Sequence, residues 1–276
     1  MQLAVLGKPQ LIYNDQPLTA DLISVKGQAL FIYLAVTGQA HSRSALAGLL
    51  WGEMPEETAR ANLRLTLSKL RKAIPGDYLN TTRQNVSLNG ALISLDAWDF
   101  ERGLAAATQE PVGVNHQPPV SSLQTLLSLY RGDFLEDFYV PNALEFETWL
   151  LGQRERWRQM AVTGLYHLAK NASTEDGIAV LRKLLTIEPW HEEGHYQLMR
   201  LLAAAGQRSA ALAQFETCRR LLDEELGIEP AAETVALYER IKAGEQGSRD
   251  AVSPAPFSAC SPAQFAGGAN TVNRPF

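Results

Sequence analysis

Hydrophobic positions recur along this chain first at a spacing of two and later at three and four. Leu3 and Val5, then Leu11 and Tyr13, alternate with polar or small residues and predict short strands, with Asn14-Asp15-Gln16 turning the chain before Pro17-Leu18. From Lys26 to Thr37 the pattern becomes helical. Ala29, Leu30, Tyr33, Leu34 and Thr37 share one side, and Gly38 ends the segment. Ser42 is placed to cap a short helix from Arg43 to Leu50, with Leu46, Leu49 and Leu50 inward and Trp51-Gly52 as its stop. The stretch Glu57–Ile74 then carries the clearest two-faced pattern. At about 100° per residue, Ala59, Leu63, Leu67, Leu70 and Ile74 form one stripe, and Ala61, Leu65, Ser68 and Lys72 lie opposite. Pro55, Glu56 and Glu57 suit its start and Pro75-Gly76 its end. Alternation returns at Tyr78–Thr81, Gln84–Leu88 and Leu92–Leu95, which read as strands around a turn at Asn89-Gly90.

Helical spacing then holds from Asp96 onward, over segments near 97–107, 122–131, 143–170, 175–187, 191–205, 207–226 and 230–243. The stretch 108–120 is a proline-containing loop. Ile187-Glu188-Pro189 recurs as Ile228-Glu229-Pro230, which predicts paired helices of tetratricopeptide type with an irregular repeat. The expected fold is therefore mainly α with a small β component. A winged helix-turn-helix over 1–95 precedes a tetratricopeptide-like helical domain over 96–243. Residues 244–276, rich in Gly, Ala, Ser and Pro, read as a disordered linker or tail.

Charge sharpens this picture. The whole chain has a formal net charge of -5, yet Arg60 to Arg83 holds six basic residues and one acid, Asp77. An acidic total excludes indiscriminate coating of nucleic acid but permits one local basic face. A helix anchored by one stripe and carrying Arg, Asn, Ser and Lys on the other has the donors that read base edges in a major groove. Asn62, Arg64, Ser68 and Lys69 are the candidates for base edges, with Leu65 for a thymine methyl. Arg60, Arg71, Lys72 and Arg83 are the candidates for phosphates. The expected partner is double-stranded DNA.

The order and spacing of several motifs resemble the Streptomyces antibiotic regulatory protein (SARP) family. They are Leu49-Leu50-Trp51-Gly52-Glu53, Ala59-Arg60-Ala61-Asn62-Leu63, Ser68–Ala73 and Thr82–Val86. The helical half is similar at Ile187–Glu193, at Leu201–Gly206 before Ala210-Ala211-Leu212, and at Leu221–Glu229. The resemblance covers about residues 2–243. It implies an OmpR-type winged helix joined to a bacterial transcriptional activator domain. It also implies an activator that binds repeated promoter sites and contacts RNA polymerase, and a homodimer on DNA is a further expected partner. Where the family often has Gly-Tyr-Arg-Leu at the wing, this chain has Gln84-Asn85-Val86-Ser87-Leu88. Some relatives continue into an ATPase, and the tail at Arg274-Pro275-Phe276 is where a cut before such a domain would fall. Gly7-Lys8 lacks the glycines of a Walker loop.

Rival chemistry is thin. His191-Glu192-Glu193-Gly194-His195 fits the zinc-protease pattern H-E-x-x-H. It starts a helix directly after Pro189-Trp190, however, contains Gly194, and has no obvious third ligand, so neither an enzyme nor a metal or cofactor is expected. The stronger rival is a protein-interaction adaptor whose winged helix does not bind DNA. The two cysteines, Cys218 and Cys260, form no CxxC, and Cys218 among Phe215, Leu221 and Leu222 reads as core. No secretory signal and no apolar run of about 18 residues appears, so a cytoplasmic protein with no membrane contact is expected.

Overall fold

The computed structural model describes residues 1–14, 16–17, 23–74, 76–108 and 120–244. The expected loop over 108–120 and the expected tail fall almost wholly outside these residues. Three short strands open the chain: β1 (Gln2–Ala4), β2 (Gln10–Tyr13) and β3 (Gln16–Pro17). They form an antiparallel meander, with Leu3 opposite Leu11 and both buried beneath the sheet.

Helix α1 (Val25–Thr37) begins at Ser24, whose hydroxyl accepts the Gly27 N–H, and ends at Gly38 in the left-handed conformation. It is buried nearly all round, Phe31, Ile32 and Ala35 included, because helices lie against more than one of its sides. Strand β4 (His41–Ser42) leads into α2 (Arg43–Trp51), capped by the Ser42 hydroxyl. After four residues α3 (Glu56–Ala73) follows, with Glu56 and Glu57 in its first turn and Arg71 and Lys72 in its last, both suited to the helix dipole. The stripe of Ala59, Leu63, Leu67, Leu70 and Ile74 is buried, as its spacing predicts. Thr66 is buried beside it. There α1 presents Gly27, and a Cβ on that glycine would stand 3.6 Å from the Thr66 methyl and 2.6 Å from Ile23.

The wing differs from expectation. Its hairpin is β5 (Leu79–Thr81) with β6 (Asn85–Leu88), so the turn lies at Thr82–Gln84 rather than at Asn89-Gly90. The Thr82 hydroxyl accepts the N–H groups of Gln84 and Asn85 and closes that turn locally, a chemistry that a glycine-based search overlooks. Asn89-Gly90 instead begins a single 3-10 turn (Gly90–Leu92). Of the expected strand at Leu92–Leu95, only β7 (Ser94–Leu95) forms. It leaves the wing and pairs parallel with β1, giving the sheet order β3-β2-β1-β7, while β4-β6-β5 form the second sheet.

The remainder is helical: α4 (Asp96–Thr108), α5 (Val120–Ser128), α6 (Leu144–Asn171), α7 (Thr174–Ile187), α8 (Glu192–Ala204), α9 (Arg208–Leu226) and α10 (Ala232–Ala243). Helices α6 to α10 pack against their sequence neighbours as a tetratricopeptide-like array. The two Ile-Glu-Pro motifs fall at similar places, the first at the end of α7 and the second just after α9. The fold is thus a winged helix followed by a tetratricopeptide-like domain.

The core does not break near residue 95. The Asp96 carboxylate accepts the backbone N–H groups of Val5 and Leu6 at 2.8 and 3.1 Å, and Arg131 pairs with it. Gly7 donates to the Asp133 carbonyl and Leu135 donates to that of Val5, so the loop after α5 acts as a further partner for the first strand's exit. Higher up, the Lys26 ammonium donates to the carbonyls of Leu50 and Asn142 and lies 5.4 Å from the Trp51 ring centroid. Partial burial lowers its pKa. The Tyr33 and Trp149 rings meet edge to face at 4.9 Å.

Candidate nucleic-acid interface

Burial of the α3 stripe forces the opposite side of the helix outward. Arg64, Leu65, Ser68, Lys69 and Lys72 all lie exposed there, and Leu65 keeps 57 % of its surface in solvent. A large apolar side chain held in water between cations has little value to the fold itself. Among the described residues Arg64, Lys69 and Lys72 form no ion pair. The turn of the wing presents Arg83, also exposed and without an ion pair among the described residues.

The remaining residues singled out in the sequence stand at the edges of this face and have partners within the chain. Arg60 pairs with Glu56 one turn earlier at 2.5 Å, both side chains being more than half exposed. Such a surface pair is worth at most about 1 kcal/mol and yields readily to a phosphate. Asn62 is half-buried and its amide contacts the Met54 sulfur in the link before α3. Arg71 reaches the other way and donates to the Thr81 hydroxyl of the wing. The structure therefore brings five residues into one open face, borders it with Arg60, Asn62 and Arg71, and sets Arg83 apart on the hairpin.

Sequence reasoning missed Arg43. Its N–H donates to the Gln84 carbonyl at 2.8 Å and its guanidinium to the Thr82 carbonyl at 3.0 Å, so the start of α2 meets the turn of the wing. The signal available was a basic residue directly after the Ser42 cap, and nothing in a one-dimensional pattern connects it to a turn forty residues later.

The H-E-x-x-H residues are occupied otherwise. The His191 Nδ1 caps α8 by accepting the Gly194 N–H at 2.9 Å. His195 is buried. Its Nε2 donates to the Pro189 carbonyl at 2.7 Å, its Nδ1 accepts from Gln214 at 2.5 Å, and burial lowers its pKa. Glu192 accepts the Ala231 N–H at 2.7 Å and the Thr234 hydroxyl at 2.6 Å, which anchors the start of α10. Cys218 is buried and its thiol pKa is pushed up to about 12, mainly by burial and then by the charge of Glu192. Among the described residues no three His, Cys, Asp or Glu side chains cluster as a metal site would require. No described helix is long and apolar enough to cross a membrane.

Comparison with known proteins agrees with this architecture. The family model for the bacterial transcriptional activator domain matches residues 95–242, more than half of the chain. The chain belongs to the SARP family of transcriptional regulators. Members similar to it include the regulatory protein AfsR of Streptomyces griseus, 32 % identical over 78 % of this chain. The regulatory protein DnrI of Streptomyces peucetius is 26 % identical over 90 % of this chain and 94 % of its own length. The chain spans only 22 % of that AfsR, and 20 % of the AfsR of Streptomyces coelicolor. Among solved structures, Mycobacterium tuberculosis EmbR, in complex with a low-affinity phosphopeptide, superposes with a TM-score of 0.66. It shares 23 % identity and covers 88 % of this chain and 65 % of its own. At that identity the likeness establishes the shared fold of this SARP-family chain.

Proposed function

We propose that this chain recognises specific duplex DNA through the open face of α3 and the turn of the wing, and activates transcription from the sites it binds. The observation that carries the reading is the α3 face itself, with Arg64, Lys69 and Lys72 exposed around an exposed Leu65 and free of ion pairs among the described residues. Arg64, Ser68, Lys69 and Asn62 have the donors and acceptors for base edges, and Leu65 the surface for a thymine methyl. Arg60, Lys72 and Arg83 hold phosphates on either side. The helical part, net acidic where α3 is basic, contacts RNA polymerase and a second copy on repeated sites. Such linkage raises the effective concentration of each copy beside the other. The match of the bacterial transcriptional activator domain to residues 95–242 supports that division of labour between residues 1–95 and 96–243.

Selecting bound duplexes from a random pool tests the reading. A defined sequence should emerge, with affinity that falls steeply as salt rises. Arg64→Ala should then reduce discrimination at one base step by about 1–3 kcal/mol. Lys72→Ala should weaken all duplexes alike and flatten the salt dependence. Recovery of no preferred sequence, or identical behaviour of the two variants across sequences, would reject it.

A further inference from the structure

We propose that Arg71 acts on DNA binding as a positioning residue for the wing rather than as a phosphate contact, a role that rests on the DNA-binding reading above. The wing turn is suspended between two helices. At its β5 end Arg71, in the last turn of α3, donates to the Thr81 hydroxyl. Arg43, in the first turn of α2, holds both sides of the turn, donating to the Thr82 carbonyl through its side chain and to the Gln84 carbonyl, at the β6 end, through its backbone. Between these ties the Thr82 hydroxyl accepts from Gln84 and Asn85, and the Thr82 N–H donates to the Asn85 carbonyl. The turn is thus ordered locally and fastened at both ends, and it projects Arg83 into solvent with no ion pair among the described residues.

This arrangement has a consequence for spacing. Arg83 must meet a phosphate while Arg64 and Lys69 meet base edges, so the distance between wing and α3 sets which backbone position Arg83 reaches. The base of the hairpin is held by the two-pair β4–β6 ladder and by buried Val86, which leaves its exposed turn to the side-chain ties. Arg71 couples the hairpin directly to the helix that carries the reading face, and the ordering cost is met before DNA arrives. The Thr81 tie takes one of the five N–H donors of the exposed Arg71 guanidinium, so the positioning role and a phosphate contact are separated by their salt dependence.

The test combines affinity, salt dependence and amide exchange on the full chain. Arg71→Ala and Thr81→Val should each weaken the selected duplex by about two- to tenfold. The double variant should be no weaker than either single one, and Thr81→Ser, which keeps the hydroxyl, should match the unchanged chain. The slope of log affinity against log salt should stay the same in all of them, because no phosphate contact leaves at that residue. Arg83 protection of the DNA backbone should blur in both single variants. Without DNA, the amides of Thr82, Gln84 and Asn85 should exchange faster in Arg71→Ala. A slope shallower by about one unit in Arg71→Ala, with Thr81→Val unaffected, would assign Arg71 to a phosphate and overturn the proposal. Should the chain select no duplex at all, the DNA-binding reading fails separately. The tie is then judged on exchange, and unchanged rates at those amides would reject it.

Discussion

Two leucines on α3, two positions apart, separate the fold from its use. Leu67 is 3 % exposed and Leu65 is 57 % exposed. Leu67→Ala removes the isopropyl end of a side chain sealed into the core between α3 and its neighbours. At about 0.8 kcal/mol per buried carbon group, the lost transfer energy is about 2.4 kcal/mol. The surrounding helices close such a hole only in part, and the remaining cavity brings the total to about 3–4 kcal/mol. Leu65→Ala removes the same atoms from solvent-facing surface, so stability should change by no more than about 0.5 kcal/mol. Alanine's higher helix propensity offsets part of even that. The binding assay should report the reverse. Leu65→Ala should lose roughly 1 kcal/mol of preference at a thymine step, from surface that only a bound methyl would cover. Leu67→Ala, at a temperature where it stays folded, should keep its sequence preference. Urea denaturation and fluorescence anisotropy on the two variants make the comparison. A larger stability loss at Leu65 than at Leu67 would mean that the faces of α3 are inverted, and the DNA assignment would fall with them.

Other outcomes follow from the same geometry. A fragment ending at Leu95 should be less stable than the same residues in the full chain, and its Val5, Leu6 and Gly7 amides should lose protection from exchange. Asp96 and the Asp133 carbonyl accept those N–H groups, so unchanged protection would contradict the shared core. Burial holds the His195 pKa below its ordinary 6.5, so the unfolded chain takes up the proton first as the pH falls. Its contribution to stability is present above about pH 6.5 and is lost below it, and His195→Gln should flatten that slope in pH-dependent denaturation. Glu192→Ala should cost about 1–3 kcal/mol by stranding the Ala231 N–H and the Thr234 hydroxyl. It should loosen α10 in hydrogen exchange yet leave DNA affinity unchanged. Elemental analysis of the unaltered chain should find no stoichiometric zinc, and a tightly held metal lost on changing His191 or His195 would restore the enzyme reading.

The helices were legible in the sequence because their information is local. The buried stripe of α3 follows from a period of 3.6, and its dipole-matched charges and proline boundaries lie within a turn of the helix itself. The same holds for α7 to α10, where Ile-Glu-Pro recurs at the ends of α7 and α9. Exposure of Arg64, Leu65, Ser68, Lys69 and Lys72 is the complement of that stripe, so the open face was legible too. What the tertiary structure alone decided is where separate segments meet. The last strand, β7, joins β1 rather than the wing, since pairing is settled by which open edge lies beside it. Thr82 makes the turn through its side chain, and Arg43 and Arg71 tie that turn to two different helices. Asp96 closes over the exit of the first strand from ninety residues away, so the helical part packs into one core with the winged helix, a contact that no local pattern announces. His191, Glu192 and His195 carry a motif spacing that fits zinc, but Gly194 takes His191, Ala231 and Thr234 take Glu192, and Pro189 and Gln214 take His195 as hydrogen-bond partners. A spacing along one helix records which side chains share a face, and only the neighbouring helices determine what that face touches.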